Sequence, residues 1–423
     1  MVLRIFCRLS LADEVQAVAE REDNSDYGER VSYGMGEKGR LCTIINLCTF
    51  VVLRHNLNMI KAISVFFVCM LVIVTMGVVS CQEQTVLLGD PYVDSPTGAM
   101  LMEKVAVRYR NASVNTKVIV DFGDGSAPAE TRGPVSVTHQ YKSASATQPD
   151  GTYHISITAN GQTITKPIIV YPLRALSYAL NELKQPGNSD IWVMAHRGNT
   201  SDKSIPENSL AAVRACIAAG VEIVETDTHL TADGHVVICH DQTIARTTNG
   251  MGDITQMTLA QIREYKLRDR NGNLYPAETI PTLEEFLKEC RGKIYVNLDY
   301  SPRTASTAEV MKVVKKLDMM DQVLFYCNSV NKVQEVFQFD REAHAYPWYS
   351  YYAALPSSGT YFVQCSYEPG KTTNVAAALD SGAILTTNML KGGTYTDLLA
   401  TYPATRVIQS DISDQLIPKL KKR

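Results

Sequence analysis

The ten cysteines include no CxxC pair and no regular spacing, which excludes a zinc ribbon and a disulfide framework. Positive charge is not in excess either. Lys and Arg number 41 against 44 Asp and Glu, a formal −3, so there is no basic stripe for nucleic acid to bind. The closing Lys421-Lys422-Arg423 is too short to change that and reads as a solvated tail. Cys216, Cys239, Cys290, Cys327 and Cys365 sit among apolar residues and are expected to behave as small buried hydrophobes. With 423 residues the chain has room for two to three domains.

One long apolar run is present. From Ala62 to Val79 only Ser64 and Thr75 interrupt it, Lys61 precedes it, and Val78-Val79-Ser80-Cys81 follows. Small residues before a cysteine resemble the lipobox of bacterial lipoprotein signals, so residues 59–81 are expected to be a signal peptide with Cys81 as the lipidated residue. The alternative is an uncleaved transmembrane helix, for which 18 residues just suffice. Met59 starts the signal naturally, so residues 1–58 read as an upstream extension or a start placed too early. This reading implies an exported protein, held on a bacterial membrane through a lipid anchor.

Residues 84–172 alternate short β-prone runs with Gly, Pro and Asp, as in Val118-Ile119-Val120 and Tyr153-His154-Ile155-Ser156-Ile157. That period-two pattern predicts a small all-β sandwich. Asp121-Phe122-Gly123-Asp124-Gly125-Ser126, with His139-Gln140-Tyr141 and Gly151-Thr152-Tyr153, resembles PKD-type immunoglobulin-like modules. Asp121 and Asp124 are expected to cap a tight turn, with calcium ligation as the alternative.

After Gly187-Asn188-Ser189-Asp190 the pattern changes to apolar strand runs separated by helical periods. Ile191–Ala195, Val221–Val224, Ile294–Leu298, Val323–Tyr326 and Arg406–Ile408 read as strands, while Ala343–Tyr346 and Thr360–Val363 compete for one place. Leu210, Val213, Cys216 and Ile217 line one face of a helix. Strands alternating with helices over residues 191–423 predict an α/β fold, a (β/α)8 TIM-type barrel.

Four motifs fall where such strands end: His196-Arg197-Gly198, Glu225-Thr226-Asp227, His240-Asp241 and Asn297-Leu298-Asp299. Glu225 and Asp227, two apart on a strand, point to one face. Two carboxylates there repel unless a cation lies between them, and oxygen ligands suit calcium or magnesium. Asp233-Gly234 is a hairpin signal, and a two-residue loop would set His240 directly opposite Asp227. Arg197 offers a fork that matches a phosphate. Two histidines beside a metal can divide the proton transfers, one acting as base and one as acid.

With Pro206-Glu207-Asn208-Ser209, Arg246-Thr247-Thr248 and Pro281-Thr282-Leu283-Glu284-Glu285, these motifs resemble the glycerophosphodiester phosphodiesterase family, specifically from about residue 191 to 302. The resemblance implies His196 and His240 as the acid/base pair, Arg197 on phosphate, Glu207 in support, and Glu225 and Asp227 on the metal. The family's Glu-x-Lys becomes Asp299-Tyr300-Ser301 here. Asp299 still suits the metal, but Ser301 supplies no positive charge.

Tyr346, Trp348, Tyr349, Tyr351 and Tyr352 form an aromatic cluster that reads either as headgroup pocket or as loop packing. The expected substrate is a small-molecule or lipid-derived phosphodiester. The alternatives are the same chemistry on a surface glycan phosphodiester, and a non-catalytic binding protein on a decayed barrel.

Overall fold

The computed structural model describes residues 92–110, 112–299, 305–354, 362–380 and 382–420. The apolar run with Cys81, residues 1–58 and Ser301 lie outside the described residues. Among the described residues no helix is long and apolar enough to cross a membrane.

Eight strands come first: β1 (Tyr92–Asp94), β2 (Gly98–Leu101), β3 (Val105–Arg110), β4 (Lys117–Asp121), β5 (Ala129–Arg132), β6 (Val135–His139), β7 (Tyr153–Ala159) and β8 (Gln162–Arg174). One sheet has the order β1-β3-β6, and a second has β2-β8-β7-β4-β5, where only the β2–β8 pair is parallel. Burial alternates along β7, as a pleated strand with one inner face requires. Val105 and Val107 from the first sheet meet Val118, Val120, Ile155 and Ile157 from the second in one apolar cluster. Tyr141 is fully buried within it, stacked on Tyr153 at 5.1 Å, and its hydroxyl donates to the Phe122 carbonyl at 3.1 Å. Asp121 accepts from the Gly123 N–H at 2.8 Å and Asp124 from the Ser126 N–H at 3.1 Å, so both carboxylates close turns.

The remaining strands are β9 (Trp192–Ala195), β10 (Ile223–Leu230), β11 (Val236–Ile238), the short pair β12 (Leu267–Arg268) and β13 (Leu274–Tyr275), β14 (Tyr295–Asp299), β15 (Val323–Cys327), β16 (His344–Pro347), β17 (Phe362–Ser366), β18 (Ile384–Asn388) and β19 (Thr405–Ser410). Eight of them run parallel in the order β16-β15-β14-β10-β9-β19-β18-β17. A bridge from Trp348 to Gln364 joins the two edges, giving a nearly closed TIM-like barrel. Both segments that compete in the sequence pattern are therefore strands, β16 and β17. Helices Leu210–Ala219, Leu283–Cys290, Thr307–Lys316 and Val330–Phe339 pack their apolar faces on the outward strand residues, and the five cysteines are free and buried.

A helix at Leu176–Leu183 joins the two parts. Its Leu176, Leu180 and Leu183 cluster with Met194, Ile223, Tyr295, Phe362 and Ile384, the inward residues near the strand starts. The helix thus floors the barrel, and the strand C-termini form the mouth. The floor is tied to the first sheets: the Ala175 N–H donates to the Leu101 carbonyl at 2.6 Å, and the Tyr295 hydroxyl to the Arg174 carbonyl at 2.9 Å.

The β10–β11 hairpin departs from the two-residue loop. Its pairs are Thr228 with Ile238, His229 with Val237 and Leu230 with Val236, continued by the Thr231 N–H donating to the His235 carbonyl. The loop therefore holds three residues, with Gly234 left-handed at φ 81, the conformation glycine adopts without penalty. This one-residue slip sets Cys239, whose N–H donates to the Asp227 carbonyl at 3.0 Å, where His240 was expected.

Candidate active site

Three carboxylates converge at the mouth. Glu225 and Asp227 share the inner face of β10, and the parallel register sets Asp227 beside Asp299 at the end of β14. One oxygen from each of Glu225, Asp227 and Asp299 lies within 4.8 Å of the others. Burial pushes the Glu225 carboxyl well above the usual range, and the charges of Asp227 and Asp299 push it further. A divalent cation would relieve that repulsion, and an all-oxygen donor set fits calcium or magnesium.

β9 ends in a tight turn, His196–Gly198, where Arg197 and Gly198 are both left-handed at φ 55 and φ 70. A Cβ on Gly198 would stand 2.8 Å from that of Ala212, so glycine lets the turn press against helix Leu210–Ala219. The Arg197 N–H donates to Glu225 at 2.7 Å, and its guanidinium donates to Glu207 at 3.1 Å. Arg197 Nε is buried without a hydrogen-bond partner, 3.8 Å from Asp227, which leaves donor capacity inside the site.

Ser209 caps helix Leu210–Ala219 by accepting from the Ala212 N–H. That cap holds Glu207 and Asn208 at the site: Asn208 donates to Asp227 at 3.1 Å and accepts from Thr226 at 2.7 Å. Burial would raise Glu207, but the Arg246 hydrogen bond and the two arginine charges outweigh it and hold the carboxyl below its ordinary value.

Each histidine is held by a carboxylate. His196 Nδ1 lies 2.8 Å from Asp411, just past β19, and Asp411 also accepts from Asn199 at 2.8 Å. Burial opposes ionisation of Asp411, yet these bonds and the Arg197 charge keep it low. His240 Nδ1 lies 2.6 Å from Asp241, which accepts from Arg246 at 2.6 Å. Arg246 in turn donates to Glu207 at 2.8 Å. Its hydrogen bond is the main reason Asp241 sits far below the usual carboxylate range. His240 is thus linked to Arg197 through Asp241, Arg246 and Glu207.

The structure brings together His196, Arg197, Glu207, Glu225, Asp227 and Asp299, and joins His240 to them through that chain. Sequence reasoning gave no role to Asp241, Arg246, Asn208 or Asp411. The first three lie within the quoted motifs, and Asp411 follows the last strand directly. The aromatic cluster divides: Tyr346 is buried inside the barrel, its hydroxyl 3.0 Å from Asn297, while Trp348 and Tyr349 line a cavity past the end of β16.

Comparison with known proteins agrees with this geometry. The model of the Glycerophosphoryl diester phosphodiesterase family matches residues 196–349. A glycerophosphodiester phosphodiesterase of Caldanaerobacter subterraneus subsp. tengcongensis is 42% identical over 93 residues, 22% of this chain and 37% of the relative. Glycerophosphodiester phosphodiesterase 1 of Bos taurus is 44% identical over 102 residues, 24% of this chain and 30% of the relative. The chain spans about a third of the length of these relatives. The crystal structure of a glycerophosphoryl diester phosphodiesterase from Parabacteroides distasonis superposes with a TM-score of 0.50 at 21% identity. It covers 57% of this chain and 92% of that one, and it shares the barrel fold.

Proposed function

We propose that this protein hydrolyses a phosphodiester, most fittingly a glycerophosphodiester, to an alcohol and glycerol phosphate. The observation that carries the reading is the buried triad Glu225, Asp227 and Asp299 beside Arg197, with two carboxylate-held imidazoles around it. Arg197 binds the phosphoryl oxygens, and Glu207 fixes its guanidinium. One imidazole accepts the proton of the attacking hydroxyl as its oxygen bonds to phosphorus; the other gives a proton to the departing alkoxide. A neighbouring glycerol hydroxyl can attack first, and water then opens the cyclic diester by the reverse proton transfers. Asp411 and Asp241 orient the rings through Nδ1, leaving Nε2 for the substrate. A calcium or magnesium ion on the triad would neutralise charge gathering on the phosphoryl oxygens.

Chelation tests the reading. Turnover of glycerophosphodiesters by the purified chain should vanish after exhaustive chelation and return with calcium or magnesium. Persistent turnover in protein shown metal-free by elemental analysis would sink it.

Two further parts of the reading rest on sequence. The reading of residues 84–172 as a PKD-like sandwich is supported, over the described residues from Tyr92 onward, by two sheets around one apolar cluster. Cys81 carries lipid and tethers the enzyme to a bacterial membrane outside the cytoplasm. Metabolic labelling with a fatty-acid precursor should mark the wild type and leave Cys81→Ala unmarked; label on the variant would refute the anchor.

A further inference from the structure

A cavity of about 180 Å³ opens on the β16–β18 side of the barrel. Ser366, Trp348 and Lys391 are among its walls. Along β17, Phe362 joins the barrel interior and Gln364 donates to Gln409 across it at 3.1 Å, whereas Val363 and Cys365 pack outward. Ser366 continues the inward series, as Trp348 does two residues after the buried Tyr346. The cavity's walls follow the C-terminal ends of β16, β17 and β18, the end of the barrel that also carries the carboxylate triad. From Asp299 on β14 to the end of β16 is two strand spacings, roughly 10 Å.

Its charge is positive. Lys371 donates to Glu368 at 2.7 Å and Lys391 donates to the other oxygen of the same carboxylate. The lysine hydrogen bonds push Glu368 down to about 2, so the group holds two ammonium ions and one carboxylate across the working pH range. Each ammonium has three donors, and one spent on Glu368 leaves others for an incoming anion. Trp348 and Tyr349, ring centroids 5.9 Å apart, offer flat apolar surface, and the hydroxyls of Ser366 and Thr373 offer polar contacts. The Ser366 hydroxyl is oriented by donating to Asn388 at 2.9 Å.

The geometry points to a second anion subsite. The cavity takes a phosphate group carried on a hydroxylated unit that is linked to the scissile phosphodiester. This rests on the phosphodiesterase reading for the first phosphate. The second phosphate has two sources with the same chemistry, a terminal phosphomonoester on the headgroup or the next repeat of a polyol phosphate chain.

Calorimetric titration of the full chain with hexane-1,6-diol bisphosphate, whose two phosphates can reach roughly 10 Å apart, and with the corresponding monophosphate tests the subsite. The bisphosphate should bind about tenfold or more tightly than the monophosphate. That ratio should fall to about one in Lys371→Ala/Lys391→Ala and recover in Lys371→Arg/Lys391→Arg, which keeps both charges. Equal affinities in the wild type, or a ratio untouched by the alanine pair, overturns the proposal. Competition with a diester-linked glycerol phosphate dimer assigns the source: a tighter dimer points to a chain repeat, a weaker one to a terminal monoester. Failure of the phosphodiesterase reading looks different, as no turnover on any diester while the titration ratio stands.

Discussion

The charges that matter most at the mouth are those fastening other charges. Asp411 and Asp241 each hold an imidazole, so in the proposed reaction they act as positioning residues. Asp411→Asn keeps the size of the side chain and removes its charge. It should lower kcat by on the order of ten- to hundredfold, the range for lost partners behind a functional ligand, with little change in KM. Steady-state kinetics on a glycerophosphodiester checks this, and an unchanged kcat would show that His196 needs no such partner. Arg246 extends the logic by serving Asp241 and Glu207 together, so two loops depend on one guanidinium.

At the scale of elements, much of the arrangement was legible in the sequence. Parallel strands buried on both faces are nearly continuous apolar runs, and those runs marked β9, β14 and β15. Glu225 and Asp227 were legible because strand alternation alone places them on one face, and Asp299, already offered to the metal by the motif it ends, stands beside Asp227 in the parallel register. The hairpin was not. Asp-Gly signals a turn, but two-residue and three-residue loops both accept it, and the left-handed Gly234 closes the longer one. His240 consequently reaches the site through hydrogen bonds and not through strand pairing. The pairing of Asp411 with His196 was illegible for a different reason. The two lie 215 residues apart, and only closure of the barrel between β19 and β9 brings them together. Helix Leu176–Leu183 has an apolar face with no partner nearby in sequence; the partners are the starts of distant strands.

At the scale of the whole molecule, the β sheets and the barrel floor share a polar junction. Glu103 accepts from the Met100 N–H at 2.7 Å and faces Asp321 and Asp318 as well as Arg291. Burial, with help from the two aspartates, raises its carboxyl from 4.5 to about 7. Between those values the unfolded chain has released this proton while the folded chain retains it. Stability is therefore lost as pH rises from 4.5 towards 7, and the loss is complete above that. Glu103→Gln keeps the hydrogen bond from Met100 and removes the titration. The variant should gain on the order of 2 kcal/mol at pH 8 and nothing near pH 4. Denaturant melts at both pH values measure it, and an equal effect at both would place the cause elsewhere. The floor beside this junction has a consequence for traffic. Leu176, Leu180 and Leu183 occupy the space at the strand starts, so the barrel is a cup and not a tube. Under the proposed reading, whatever enters must leave by the way it came, product and fresh substrate would queue at one doorway, and a long polymer would be presented by an end or a loop and never threaded through.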